Sequence, residues 1–130
     1  MEKRKDADAL RLQRATQIWQ VLIAAANNRQ ILTYEIVAEL IGLGRKGAIA
    51  IKLYLAIIMR YCKRYHLPPI TALIVQKGVG RPGGGLKTLS NDPDRDREKV
   101  FAHNWFQLKP LTASDLFPFD KHQAHTFEAE

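Results

Sequence analysis

Ile31-Leu32-Thr33-Tyr34-Glu35-Ile36-Val37-Ala38-Glu39-Leu40-Ile41-Gly42 is the segment with the densest local structural signals. Thr33 is a good N-cap, because its hydroxyl can accept from a backbone N–H two or three residues on. Glu35 falls in the first turn, where the helix dipole favours an acid. A short helix from Tyr34 to Ile41 follows, expected to bury Ile36, Val37 and Leu40. Gly42 supplies its C-terminal stop.

Outward from this segment the chain reads as mostly helical. Upstream, Leu12, Ala15, Trp19, Leu22 and Ala26 recur at helical spacing, with Ile18 and Ile23 widening the stripe, which predicts a first helix over roughly residues 7–28. Downstream of Gly44, a long helix is expected from Arg45 to Tyr65. Ala48, Ile51, Leu55, Ile58, Met59 and Cys62 share one face at 100° per residue. Arg45, Lys52, Arg60 and Lys63 fall on an adjacent strip. Leu67-Pro68-Pro69 ends this helix, since proline cannot continue it. Ile70 to Gln76 is β-branched and predicts a strand. Gly78-Val79-Gly80-Arg81-Pro82-Gly83-Gly84-Gly85 predicts a mobile turn. A further helix is expected from Asp94 to Asn104, with Val100, Phe101 and Trp105 on its apolar side. Pro110 and Pro118 make the tail irregular, while Leu108, Leu111, Leu116, Phe117 and Phe119 predict that it packs on the body. Alternatively, those residues form a docking peptide.

The chain has 130 residues and a formal net charge of +7. That length suits one domain. With 46% hydrophobic and 25% charged residues it is not a disordered composition. No apolar run approaches the ~20 residues that span a bilayer, and the N-terminus leads into no signal-peptide core. A single cysteine excludes an intramolecular disulfide framework and a Cys-rich zinc site, so a cytoplasmic protein without membrane attachment is expected.

Charge is unevenly distributed. From Leu40 to Asn91 there is no Asp or Glu but nine basic residues: Arg45, Lys46, Lys52, Arg60, Lys63, Arg64, Lys77, Arg81 and Lys87. The rest of the chain carries 11 basic and 13 acidic residues. The whole positive excess thus belongs to one central segment. Such clustering is the footprint of nucleic-acid binding, and it would weaken with salt. A solvated basic face without a specific partner is the alternative.

Catalytic signals are sparse. Gly78-x-Gly80-x-x-Gly83 has the letters of a dinucleotide fingerprint, but that motif needs a βαβ unit, and Pro82 with two further glycines follows here. A hairpin or wing loop with Arg81 at its tip and Lys77 and Lys87 at its base fits better. Arg60-x5-His66 and Arg97-x5-His103 match the loose Arg-x(4–6)-His pattern of helical HEPN-type ribonucleases, in which histidine would move protons. Chance matches arise readily in so basic a chain. His122 and His125 lack a third metal ligand. Cys62 sits on an apolar face, as a small buried hydrophobe would. No catalytic residue, metal site or cofactor is therefore assigned.

The 31–42 segment resembles the Thr-Tyr-x-x-(apolar)-Ala-x-(apolar)-x-Gly opening of the winged-helix domain in the alkylguanine-DNA alkyltransferase and alkyltransferase-like families. The likeness extends over roughly residues 31–86, as a helix, a proline-led strand (Pro69 to Val75) and a glycine turn follow in the family's order. The family's reactive cysteine would fall at Ile70, and the His-Arg after it is replaced by Thr71-Ala72, so alkyl transfer is not expected. Its intercalating arginine would fall near Ala48, with Arg45, Lys46 and Lys52 close by. The resemblance implies a winged-helix-like scaffold in which Tyr34 and the start of the long helix face DNA. Convergence on a simple helix-turn-helix pattern would look the same.

The expected architecture is α+β and mostly helical: a charged N-terminus open to fraying (1–8), a winged-helix-like domain with a short β element (9–106) and a partly packed, irregular tail (107–130). The leading functional expectation is a non-catalytic, largely phosphate-directed nucleic-acid-binding protein, with duplex DNA preferred over RNA. Its contacts would come from Tyr34, Arg45, Lys46, Lys52, Arg60, Lys63, Arg64, Lys77, Arg81 and Lys87. The second is a small interaction module, an adaptor or inhibitor such as defence systems use, binding an acidic protein through the basic face and the aromatic tail Phe101–Phe119. The third is the HEPN-like ribonuclease. The oligomeric state stays open, a dimer included.

Overall fold

The first helix sets the frame. In the computed structural model, which describes residues 2–44, 47–76 and 92–116, α1 runs from Glu2 to Asn27. It begins earlier than the apolar spacing predicts. Its stripe of Leu12, Ala15, Ile18, Trp19, Leu22, Ala25 and Ala26 is buried, as i, i+3, i+4, i+7 spacing requires. α1 ends on Arg29 in the left-handed region, φ 54°. The Arg29 N–H donates to the Ala26 carbonyl (3.2 Å) and the Gln30 N–H to that of Ala25 (2.8 Å), the paired bonds of a Schellman motif.

The chain then extends as β1 (Leu32–Thr33) and turns into α2 (Tyr34–Leu40). Thr33 caps α2, its hydroxyl accepting the Ile36 N–H at 3.2 Å. The buried face differs from the expected one. Tyr34, Val37 and Ala38 face the core, with Ile41 beyond them, whereas Ile36 is 43% and Leu40 61% exposed. Tyr34, Val37, Ala38 and Ile41 form a complete i, i+3, i+4, i+7 set, and that set docks on its neighbours. Gly42 (φ +84°) closes the helix as predicted: its N–H donates to the Glu39 carbonyl and the Leu43 N–H to that of Ala38. An L-residue there would meet no atom, so its cost is backbone strain alone. The Arg14 guanidinium of α1 donates to the Ile41 carbonyl at 2.8 Å and so ties α1 to this turn.

α3 spans Ala48–Arg64 and buries Ile51, Leu55, Ile57, Ile58 and Cys62. Lys63 and Arg64 occupy its last turn, where the dipole favours cations. A second Schellman motif without glycine follows, with His66 at φ 55° and the Leu67 N–H donating to the Cys62 carbonyl at 2.8 Å.

Past Pro69 the structure corrects the expected strand over Ile70–Gln76. Ile70–Leu73 form a 3-10 turn, and only Ile74–Val75 are extended, as β2. β2 pairs in parallel with β1, Leu32 opposite Ile74 and Thr33 opposite Val75. A partner only two residues long can satisfy only a two-residue strand. The buried residues before it bond locally instead, the Ala72 N–H to the Pro69 carbonyl at 2.9 Å.

α4 (Pro93–Ala102) starts at Asp92, whose carboxylate accepts the Arg95 N–H, with proline in the first turn. Trp105–Gln107 make a 3-10 turn, and α5 covers Ala113–Leu116. Trp105, Leu111 and Leu116 are buried, and α5 lies on α1 and α3. Tail packing thus holds for Leu108, Leu111 and Leu116, while Phe117 and Phe119 lie outside the described residues. One core results, with Ile18, Leu22, Ile51, Leu55, Ile58, Ile70, Leu73 and Ile74 at its centre. The described fold is mostly helical, with five α-helices and a two-stranded parallel sheet. Among the described residues no helix is long and apolar enough to cross a membrane.

Candidate nucleic-acid interface

One side of α3 belongs to the core, so the other must face solvent. The exposed arc carries Ile49, Lys52, Leu53, Lys63 and Arg64, with Arg60 half-buried beside it. No acidic residue occurs on α3. Lys52 and Lys63 are eleven residues apart, roughly 16 Å along a helix axis. The Lys52 ammonium sits 5.9 Å from the centroid of the Tyr34 ring, and the Arg64 guanidinium 5.8 Å from that of Tyr65. Both rings orient cations while leaving charge at the surface.

Of the sequence-expected contact residues, α3 brings together Lys52, Arg60, Lys63 and Arg64. Arg45, Lys46, Lys77, Arg81 and Lys87, with the glycine wing, lie outside the described residues. Tyr34 requires correction. Its side chain is only 4% exposed, because it belongs to the buried face of α2, so its ring is not presented to a ligand. It acts on the site indirectly, as the platform for Lys52.

The other candidates have structural neighbours. Arg97 donates Nε to the Ala72 carbonyl and Nη1 to Asp94, both at 3.2 Å, and so fastens α4 to the 3-10 turn before β2. The His103 ring packs on Trp105 at 4.6 Å between centroids. His66 serves as the left-handed residue after α3. Cys62 is fully buried, and that burial pushes its thiol up to about 12, far from a nucleophile's range. Among the described residues no three His, Cys, Asp or Glu side chains gather to hold a metal, and His122 and His125 lie outside them.

The expected aromatic anchors also change. Trp105 is 3% exposed, and its indole N–H donates to the Val100 carbonyl at 2.8 Å, so it is a core residue. Among the described residues of that segment, Phe106, at 67%, is the exposed aromatic.

Hydropathy spacing missed two surface features. Ile49 is 83% exposed in the first turn of α3, with Leu53 at 48% one turn on. A shallow groove of about 650 Å³ runs between α1 and the end of α2, lined by Gln17, Gln20, Val21, Ala24, Leu40, Ile41 and Gly42. The i, i+4 recurrence of Ile36 and Leu40 is the one sequence signal for that face, and it reads equally well as core.

Comparison with known protein families, with curated proteins and with solved structures finds no match to this chain.

Proposed function

We propose that this protein is a non-catalytic nucleic-acid-binding protein of winged-helix type, related in plan to the alkyltransferase-like domain, that holds duplex DNA through α3. The acid-free exposed arc of α3 carries the reading: Lys52, Lys63 and Arg64 stand on the solvent side of a helix whose opposite face is anchored in the core. Fixed cations on a rigid element suit phosphates, which reward charge without demanding base identity. Arg45 and Lys46 just before α3, and Lys77, Arg81 and Lys87 of the glycine segment, extend the same charge along the chain.

Gel shifts on duplex DNA, single-stranded DNA and RNA at two salt concentrations test this. Duplex is retained best, binding falls steeply with salt, and Lys63→Ala flattens the log–log salt slope by about one unit whatever the sequence. Absence of binding to all three at low salt overturns the proposal in favour of an acidic protein partner. Cleavage lost in His66→Ala would transfer it to the ribonuclease reading.

A further inference from the structure

We infer that Ile49 and Leu53 of α3 contact the 5-methyl groups of thymine in the major groove of duplex DNA, so that base pairs bearing this methyl are preferred over the same pairs without it. The inference rests on the duplex-binding reading and adds a base-edge contact to it. At 100° per residue, Ile49, Lys52, Leu53 and Ala56 share one arc of ~120° with Arg60, Lys63 and Arg64. That arc is graded along its length. The start of α3 presents an apolar pair, Ile49 83% and Leu53 48% exposed, with Lys52 between them. Its last two turns present the cations, and Ile49 to Lys63 spans roughly 21 Å of helix.

The charge on the arc selects the occupant. α3 carries no acidic residue, and its cations stand on the same side as the apolar pair, so the surface suits a polyanion that also offers apolar groups. Duplex DNA has both. Its phosphates suit Lys63 and Arg64, and the thymine methyl is the apolar group on the major-groove edges. α3 contains no Asn, Gln, Ser or Thr, so the amide pairing that reads adenine is not available from this helix, and apolar contact is what its face offers. Ala56, between the apolar and cationic parts, carries only a methyl and lets the helix lie close in a groove ~12 Å wide.

Fluorescence anisotropy on four duplexes at one salt concentration tests this with the full chain. The first pair contains thymine or uracil at the same positions, which changes only the methyl. The second pair is G·C-rich and contains cytosine or 5-methylcytosine, which puts that methyl on a different base pair. Thymine is expected to bind about threefold or more tighter than uracil, and 5-methylcytosine tighter than cytosine by a similar factor. Ile49→Ser, at an exposed position and checked for an unchanged melting curve, brings both ratios close to one and leaves the salt slope as in the parent. Lys63→Ala weakens all four complexes alike and keeps the ratios. Ratios near one in the parent protein overturn the inference, as do ratios that survive both Ile49→Ser and Leu53→Ser. A thymine preference without the 5-methylcytosine preference also overturns it, since groove shape rather than the methyl is then being read. Equal binding to all four duplexes leaves the duplex-binding reading standing, whereas no binding to any of them at low salt removes that reading and this inference together.

Discussion

Trp19 of α1 and Trp105 of the C-terminal segment meet edge to face, ring centroids 5.7 Å apart and planes at 85°. Trp19 makes a second edge contact with Tyr61 of α3 at 5.5 Å. One indole therefore joins the beginning, middle and end of the described chain. Trp105→Ala should cost about 3–5 kcal/mol of unfolding free energy in urea titration. Trp105→Phe keeps a ring but removes the donor to the Val100 carbonyl, so its loss should be smaller. Equal losses in the two variants would refute this division between packing and hydrogen bond.

Left-handed backbone at two helix ends should be improvable. His66→Gly removes strain of ~1–2 kcal/mol for an L-residue, against a chain-entropy cost of ~0.5–1, for a net gain of about 1 kcal/mol. Arg29→Gly gains less, because Arg29 also pairs with Glu98 at 3.7 Å and lies 5.3 Å from the Phe101 ring centroid. An exposed ion pair and cation–π contact worth ~0.5–1 kcal/mol each cancel most of the relief. Denaturant midpoints should rank His66→Gly above Arg29→Gly, and the reverse order contradicts the account.

Acid stability should depend on Asp115. Its carboxylate accepts the Thr112 backbone N–H at 2.8 Å and hydroxyl at 3.1 Å, half of a capping box on α5. The backbone bond most of all holds its pKa below the ordinary 3.8. A lowered folded-state value contributes stability that is present above 3.8 and lost as pH falls through that folded value. Asp115→Asn should therefore be less stable than the parent at neutral pH, with the gap closing in acid. The charge of Asp115, second to burial, also raises the Tyr61 phenol above 10.0. Ultraviolet titration of the same variant should show Tyr61 ionising at lower pH.

Cys62 should report global unfolding. Burial pushes its thiol up to about 12, which keeps it protonated at neutral pH, and removes access as well. An aromatic disulfide reagent should label it at the unfolding rate, accelerated by urea. Immediate labelling of the native protein would contradict its placement in the core.

Local chemistry was the legible part of this fold. Thr33, Gly42 and Pro69 each act through their own backbone or side chain, and each marks a boundary where the sequence places it. Choices that depend on a distant partner were not legible. In a helix as short as α2, Ile36 with Leu40 and Tyr34 with Ala38 both make apolar faces, and contact with α1 and α3 selects the second. The β-branched run after Ile70 suits a strand, yet the length of β1 limits it to two residues. Of the candidate site, the cationic positions on α3 follow from 100° spacing. The exposure of Ile49 does not, because apolar residues occupy most of that helix's circumference.

The long α1 has a consequence for synthesis. Its partners are spread along the chain as far as Leu116 in α5. At ~5–20 residues per second, the apolar stripe from Leu12 to Ala26 leaves the ribosome several seconds before its last covering residues. During that interval it is a greasy helix without a home. The nascent chain should therefore lean on chaperones until α5 emerges, and a message truncated before residue 105 should yield aggregates rather than a smaller folded protein.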